Sequence, residues 1–440
     1  MTALAVSLVI GAGIVVRLWL MTMTGVVDWL AGRNELVTPL TSWKRVTEGV
    51  VLHRAGLSPY SGDVFHEMPL VLRAFARFDA ILGPSIHLLF IVADVCLAVV
   101  LGSVGRRMGT YLLRRQADEW RGYDCRSSKL LVKAESLALN QLYIVGAYML
   151  NPLAIASCVA KSTAVFGNLA IALAILYTMK GSRIGASVFI ALAAYLSLYP
   201  IVLVVPAALF LTHIDVKSHD LRSYLAATSL VQTGVCTFSA LGLLLYASQY
   251  FEGGSWDFLQ STYGFILNVP DLTPNIGVFW YFFTEMFEHF RLFFICVFQI
   301  HAFIYVVPLT FRLADHPIFL TYMLVALGAI FKSYPSYADC VLYLSLLPLW
   351  RHVMRYMRNN FVVAVMFAVC AVLAPVLWHL WLLAGSANAN FYFAITLVLC
   401  TAQIFLLTDL LFAFLRREYD LVHGPDPPIV DGKPAQVILE

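Results

Sequence analysis

Apolar runs of about twenty residues recur along this chain, and each is long enough to cross a bilayer as a helix. The first, ALAVSLVIGAGIVVRLWLM at 3–21, carries a single charge, Arg17. The chain is 60% hydrophobic and 12% charged, with a mean hydropathy of +0.80. Soluble domains carry about 25% charged residues, so most of this chain is expected to lie in lipid. The net charge of +3 gives no reason to expect a nucleic-acid partner. Charge matters here by location.

The N-terminal run lacks a basic leader and a small-residue cleavage site, so a retained first helix is expected. Eight cysteines are present without a C-x-x-C pair, and seven lie in apolar runs. There Cys acts as a small hydrophobe. The spacing argues against a zinc site, and neither a metal nor a cofactor is expected.

Cytoplasmic loops are rich in Lys and Arg, and that bias threads the chain. Span one is about 3–22, and a polar luminal loop covers 23–83. Span two is about 84–104. The basic stretch 105–135, which contains RRMGTYLLRRQADEWRGYDCRSSKLLVK, is then cytoplasmic. Spans three and four are about 136–156 and 163–179. The segment 184–212 is a hairpin broken at SLYP, 197–200. Span seven, about 224–249, leads to a luminal region at 250–289, whose second half, NIGVFWYFFTEMFEH, reads as an interfacial helix. Span eight is about 290–311. A second broken hairpin, 317–350, has KSYP at its tip. Span eleven ends at GSANAN, 385–390, and span twelve at the cytoplasmic tail, 416–440. The expectation is one all-α domain over 1–440, a polytopic bundle of about twelve spans with both termini cytoplasmic.

The luminal face gathers the polar candidates. Asn388 and Asn390 stand two residues apart, and their amides both donate and accept, which suits sugar hydroxyls and phosphate oxygens. The same pattern also suits a tight turn. Asp271, Asn275 and Lys332 are further candidates, and Tyr199, Ser333 and Tyr334 lie at the hairpin tips. His66 and Glu67 could be an acid/base pair or interface residues. Glu285, Glu288 and His289 have helical spacing for one face, read as a polar face or partner contact. Charged residues in spans are functional or paired. Lys332 and Asp339 are therefore expected to clamp, and Arg17 and Asp94 fall under the same rule. No P-loop and no G-x-S-x-G elbow occurs.

Long stretches carry a family resemblance. TPLTSWKRVTEGVVLHRAGLSPYSGDVFHEMPL, VAKST, SLYP, SWDF, YGFILNVPDLTPNIGVFWYFFTEMFEHF, FKSYPSYADCVLYLSLLPLW, PVLWHLWLLAGSANANF and FLRREY resemble the phosphatidylinositol-glycan class U family. The likeness runs over nearly the whole chain. It implies the polytopic subunit of the GPI transamidase, in the endoplasmic reticulum membrane. The implied partners are the other subunits, among them a cysteine-protease-like catalytic chain, with the GPI lipid and membrane phospholipids. The resemblance implies no catalytic residue here; the expected GPI contacts are Asn388 and Asn390, at the luminal end of two long spans, and then Asp271, Asn275 and Lys332.

The chain is also similar, more weakly, to the membrane domain of dolichol-phosphate-sugar-dependent (GT-C type) glycosyltransferases. Gly56 to Tyr60 and Met68-Pro69-Leu70 look like parts of their first luminal loop. Their early acidic motif is missing, because LVTPLTSWKR at 36–45 holds no carboxylate. Sugar transfer of this kind needs a carboxylate base. A holder of the GPI lipid is therefore expected. The alternative is an active glycosyltransferase of GPI assembly using Asp28, Glu35, Asp63 or Glu67.

Overall fold

The computed structural model describes residues 2–215, 219–425, 429–430 and 433–434. Long apolar runs fold as helices because a helix closes its own backbone hydrogen bonds where no water can. The order is α1 Thr2–Met21, α2 Thr24–Ala31, α3 Trp43–Arg54, α4 Pro69–Leu82, α5 His87–Glu119, α6 Ala134–Ala138, α7 Asn140–Met149 and α8 Pro152–Val159. Then come α9 Ala164–Met179, α10 Arg183–Ser197, α11 Val204–Asp215, α12 His219–Phe251, α13 Asp257–Leu259, α14 Phe265–Asn268 and α15 Phe279–Glu285. The last are α16 Arg291–His301, α17 Val306–Arg312, α18 Pro317–Phe331, α19 Tyr337–Leu346, α20 Asn360–Leu382 and α21 Ala389–His423. A two-residue antiparallel pairing, Ile429–Val430 with Lys433–Pro434, ends the described chain.

Six helical stretches are long and apolar enough to cross a membrane, and α7 with α8, bent by 49°, makes a seventh. Five shorter apolar helices include α9, α10, α18 and α19. Eleven of the fifteen residues of α18 are buried, so it forms the centre of the bundle.

Both expected breaks are present. After α10, Leu198 takes φ +48 and the chain turns through Tyr199–Leu203 before α11. After α18, the chain is irregular until Ser336 caps α19. Both paired-charge expectations hold as well. Arg17 Nε donates to Asp94 Oδ2 at 2.8 Å, with side chains 0% and 4% exposed. The Arg17 guanidinium also donates to the carbonyls of Gly13 and Met149, and Tyr148 donates to Asp94 Oδ1. These bonds fasten α1 to α5 and α7.

Four expectations need correction. The segment 23–83 is not an open loop, because α2, α3 and α4 fill most of it. Its apolar residues are spaced to bury one helix face. Trp43 meets Phe75 and Phe90 edge-on at 5.4 and 5.3 Å, and Val46 and Leu72 are buried beside them. The basic stretch 105–135 is not a loop from its start, since α5 runs through it to Glu119. In 275–289, α15 stops at Glu285 and Met286 is extended, so Glu285, Glu288 and His289 do not share a helix face. The tail expected from 416 begins as the end of α21, and most residues beyond 425 lie outside the described ones.

Candidate functional site

The breaks in the two hairpins meet, and loops close over them. Tyr199 Oη donates to Gln299 Oε1 at 3.0 Å, accepts from Ser333 N at 3.1 Å and lies 2.7 Å from Ser333 Oγ. Ser333 Oγ and Gln299 Nε2 both donate to the carbonyl of Ile266. Tyr199 and Ser333 therefore join the breaks. Helix backbone interrupted inside a bundle leaves polar groups that must be paired, and this network pairs them.

Lys332 and Asp339 sit at the same break. Lys332 Nζ donates to Asp339 Oδ1 at 2.7 Å, while Asp339 Oδ2 accepts from Ser336 N at 2.8 Å and Ser336 Oγ at 2.9 Å. This is a capping box extended by an ion pair. Beside it lies a cavity of about 630 Å³, counting the part open to solvent. Glu67, Thr41, Thr163, Asn168, Lys332 and Asp339 give it polar walls, and Phe75, Phe166 and Leu196 apolar ones. A second recess of about 450 Å³ shares Lys332, Asp339 and Asn168.

Glu67 is set on the chain just before α4. Its Oε1 accepts from Thr163 Oγ1 at 2.7 Å. Burial pushes its carboxyl up to about 7, and the Thr163 bond only partly opposes this. A raised carboxyl value favours the protonated fold, so this contribution to stability is largest in acid. It falls as pH rises from about 4.5 to about 7, by up to ~3 kcal/mol. Glu67→Gln should flatten that dependence and unfold later than the parent at pH 8, which thermal unfolding across pH checks.

The remaining predicted residues divide. Asp271 accepts from Arg45 at 2.9 Å and from Thr273 N at 2.9 Å. Half-burial would raise its carboxyl, but the Thr273 and Arg45 bonds hold it below the usual range. Arg45 also reaches His66 Nε2 at 3.3 Å, and His66 Nδ1 bonds the Ser261 carbonyl at 2.8 Å. Burial keeps that imidazole neutral, so Nδ1–H donates and Nε2 accepts. His66 and Glu67 point to different partners and form no acid/base pair. Asn275 is buried and shapes its own turn, accepting from Gly277 N at 2.8 Å. That turn lies on the tip, where a Cβ at Gly277 would stand 2.7 Å from Pro335 Cγ.

Asn388 caps α21, its Oδ1 accepting from Asn390 N at 3.1 Å and Phe391 N at 3.4 Å. Asn390 Oδ1 accepts from Tyr281 Oη. Both asparagines are exposed. Each oxygen has an internal partner, and each NH2, with two donors, stands on an exposed turn. Aromatics rim this turn: Trp280 stacks on Trp381 at 6.0 Å and Tyr281 on Phe393 at 4.3 Å. The structure thus brings Asn388 and Asn390 to the same end of the helices as Lys332 and Asp271, in separate patches.

Sequence reasoning missed Arg33 and its bond to Glu35. They pair at 2.9 Å with side chains 4% and 3% exposed, and the Arg33 guanidinium lies 4.1 Å over the Trp378 ring. The pairing occupies Glu35, while Asp28 and Asp63 are exposed. Of the four carboxylates weighed as a base, Glu67 alone lines the cavity.

Bundle and site together define a class: a helical membrane protein with a polar, aromatic-rimmed recess at one end. Residues 11–399 match the family described as "GPI transamidase subunit PIG-U". The Homo sapiens protein "GPI-anchor transamidase component PIGU" is 43% identical over 94% of each chain, and its Mus musculus counterpart 42% over 100% of each. The Saccharomyces cerevisiae protein "GPI transamidase component GAB1" is 32% identical over 88% of each. The chain belongs to the PIG-U family.

Proposed function

We propose that this chain is a non-catalytic subunit of the GPI transamidase that holds the GPI lipid for attachment to proprotein C-termini. It works in the endoplasmic reticulum membrane beside a cysteine-protease-like catalytic chain and further membrane subunits. The acyl chains lie among the helices and the glycan faces the lumen, at the end holding Asn388, Asn390, Asp271, Asn275 and Lys332. Both termini are cytoplasmic. The six long apolar stretches, the bent pair and the five short apolar helices correspond one for one with the twelve crossings read from the sequence.

One observation carries the non-catalytic reading. Three carboxylates at the polar end are engaged by cations: Glu35 by Arg33, Asp271 by Arg45, Asp339 by Lys332. A general base must be able to reach its proton, and these three are committed to cations. Their role is to stiffen a recess, and a stiff recess binds at lower entropic cost.

A second reading rests on Glu67, whose carboxyl near 7 lines the cavity as a sugar-transfer base would. Expressing Glu67→Gln in cells that lack the chain separates the two. Restored surface GPI-anchored protein supports the holder. Persistent loss with a shortened glycolipid would establish sugar transfer instead.

A further inference from the structure

A second polar cavity lies at the opposite end of the helices. It is formed where α5 ends, α18 begins, α19 has run out and α21 nears its close, and it measures about 490 Å³, counting the part open to solvent. The length of α18, 15 residues at about 1.5 Å each, separates it from the Lys332 break.

Three features make it a receptor for an anion. Arg115 and Arg417 line it. The N-terminus of α18 opens onto it through Ile318 and Phe319, with no side-chain cap. A helix start of this kind presents unpaired N–H groups and positive potential. Trp350, 1% exposed, also lines it, and its Nε1–H finds no partner among the described residues. A buried donor without a partner is rare and costly, and an acceptor in the cavity would satisfy the indole N–H.

The charges nearby agree. Arg115 is paired with Glu119 at 2.8 Å and donates to His316 Nδ1 at 2.6 Å, while Arg417 is paired with Glu418 at 2.9 Å. Burial, then the charges of Arg115, His213, Arg312 and Arg417, keep His316 neutral, and burial with Arg417 lowers His352 to about 3. The two ion pairs balance locally, and Glu418 also lines the cavity, so the positive surplus comes from the surrounding stretches. Residues 106–133 carry eight Lys and Arg against three Asp and Glu, and 351–358 carry three Arg and no acid.

We infer that this cavity binds a phosphoryl group. The ligand chemistry is that of an anionic phospholipid headgroup or of free phosphate. The apolar wall of Met108, Leu112 and Phe414 and the level of the cavity at the ends of apolar helices, where lipid phosphates lie, favour the lipid.

The test uses the full chain in its complex, in phosphatidylcholine nanodiscs doped with phosphatidylinositol. Native mass spectrometry counts the phosphatidylinositol retained after detergent extraction. Trp350→Phe keeps the ring packing and removes the donor, and it should lower retention about fivefold. Arg417→Lys keeps the charge and loses the fork, and it should do the same, deciding the matter if Trp350→Phe fails to assemble. In a parallel arm, inorganic phosphate is titrated in discs of phosphatidylcholine alone. Phosphate bound by the parent and weakened in both variants, with lipid retention equal in all three, would assign free phosphate as the source. Equal binding of both ligands by parent and variants, or binding of neither, would overturn the site.

Discussion

Replacing Arg17 with Leu should cost about 3–5 kcal/mol, because it strands a buried carboxylate. Asp94 would keep only neutral partners, the Tyr148 hydroxyl at 2.7 Å and the Cys158 thiol. The loss should concentrate on α1, whose apolar stretch has only 17% of its residues buried. Arg17 and the close approach at Gly13, where a Cβ would stand 2.7 Å from Met149 Cε, fasten that helix. Asp94→Leu alone should be as damaging, since it leaves the guanidinium unpaired. The double replacement should recover most of the loss, because a buried pair exchanged for apolar residues of similar volume is often neutral. Unfolding in detergent, measured as a double-mutant cycle, checks this. A double variant as unstable as the sum of the singles would refute the pairing account.

Replacing Asn388 and Asn390 together with Ala should lower GPI attachment by about tenfold or more, from two lost contacts at roughly 1 kcal/mol each. Ala at 388 also removes a helix cap, which costs about 1 kcal/mol. Asp at both positions separates the effects, because it keeps the capping oxygen and removes the amide donors. The Asp pair should assemble normally with its partners and still attach GPI poorly. Surface levels of GPI-anchored reporters, read beside co-purification of the complex, give the result. Normal levels in the Asp pair would remove these residues from the site.

The parts of the fold that were legible in the sequence stem from one rule, the high cost of polar groups in an apolar setting. It gave the apolar helices, the two breaks, and the pairings of Lys332 with Asp339 and of Arg17 with Asp94. The helices of 23–83 were hidden because hydropathy averages over faces. Trp43, Val46 and Val50 are buried while Val51 is 62% exposed, so the segment reads as mixed. Glu285, Glu288 and His289 had helical spacing, but the extended backbone at Met286 has no local sequence signal.

The site was legible in kind more than in contacts. Residues of loops and breaks were expected at one end, and they are there. Tyr199, Ser333 and Asn275 spend polar atoms on the breaks and turns themselves, because closing a broken helix consumes polar side chains. Glu67 owes its raised carboxyl to burial that no local pattern encodes, and its partner Thr163 lies 96 residues away. Arg33 was missed although Glu35 is only two residues away, because the Trp378 ring that completes its setting lies far along the chain.

The glycolipid profile of cells lacking this chain tests the central claim most directly. A holder of the finished lipid acts at transfer, so complete, fully mannosylated GPI should accumulate beside uncleaved proproteins. A shortened GPI intermediate would contradict the account and place a sugar-transfer step on this chain, with Glu67 as the first residue to examine.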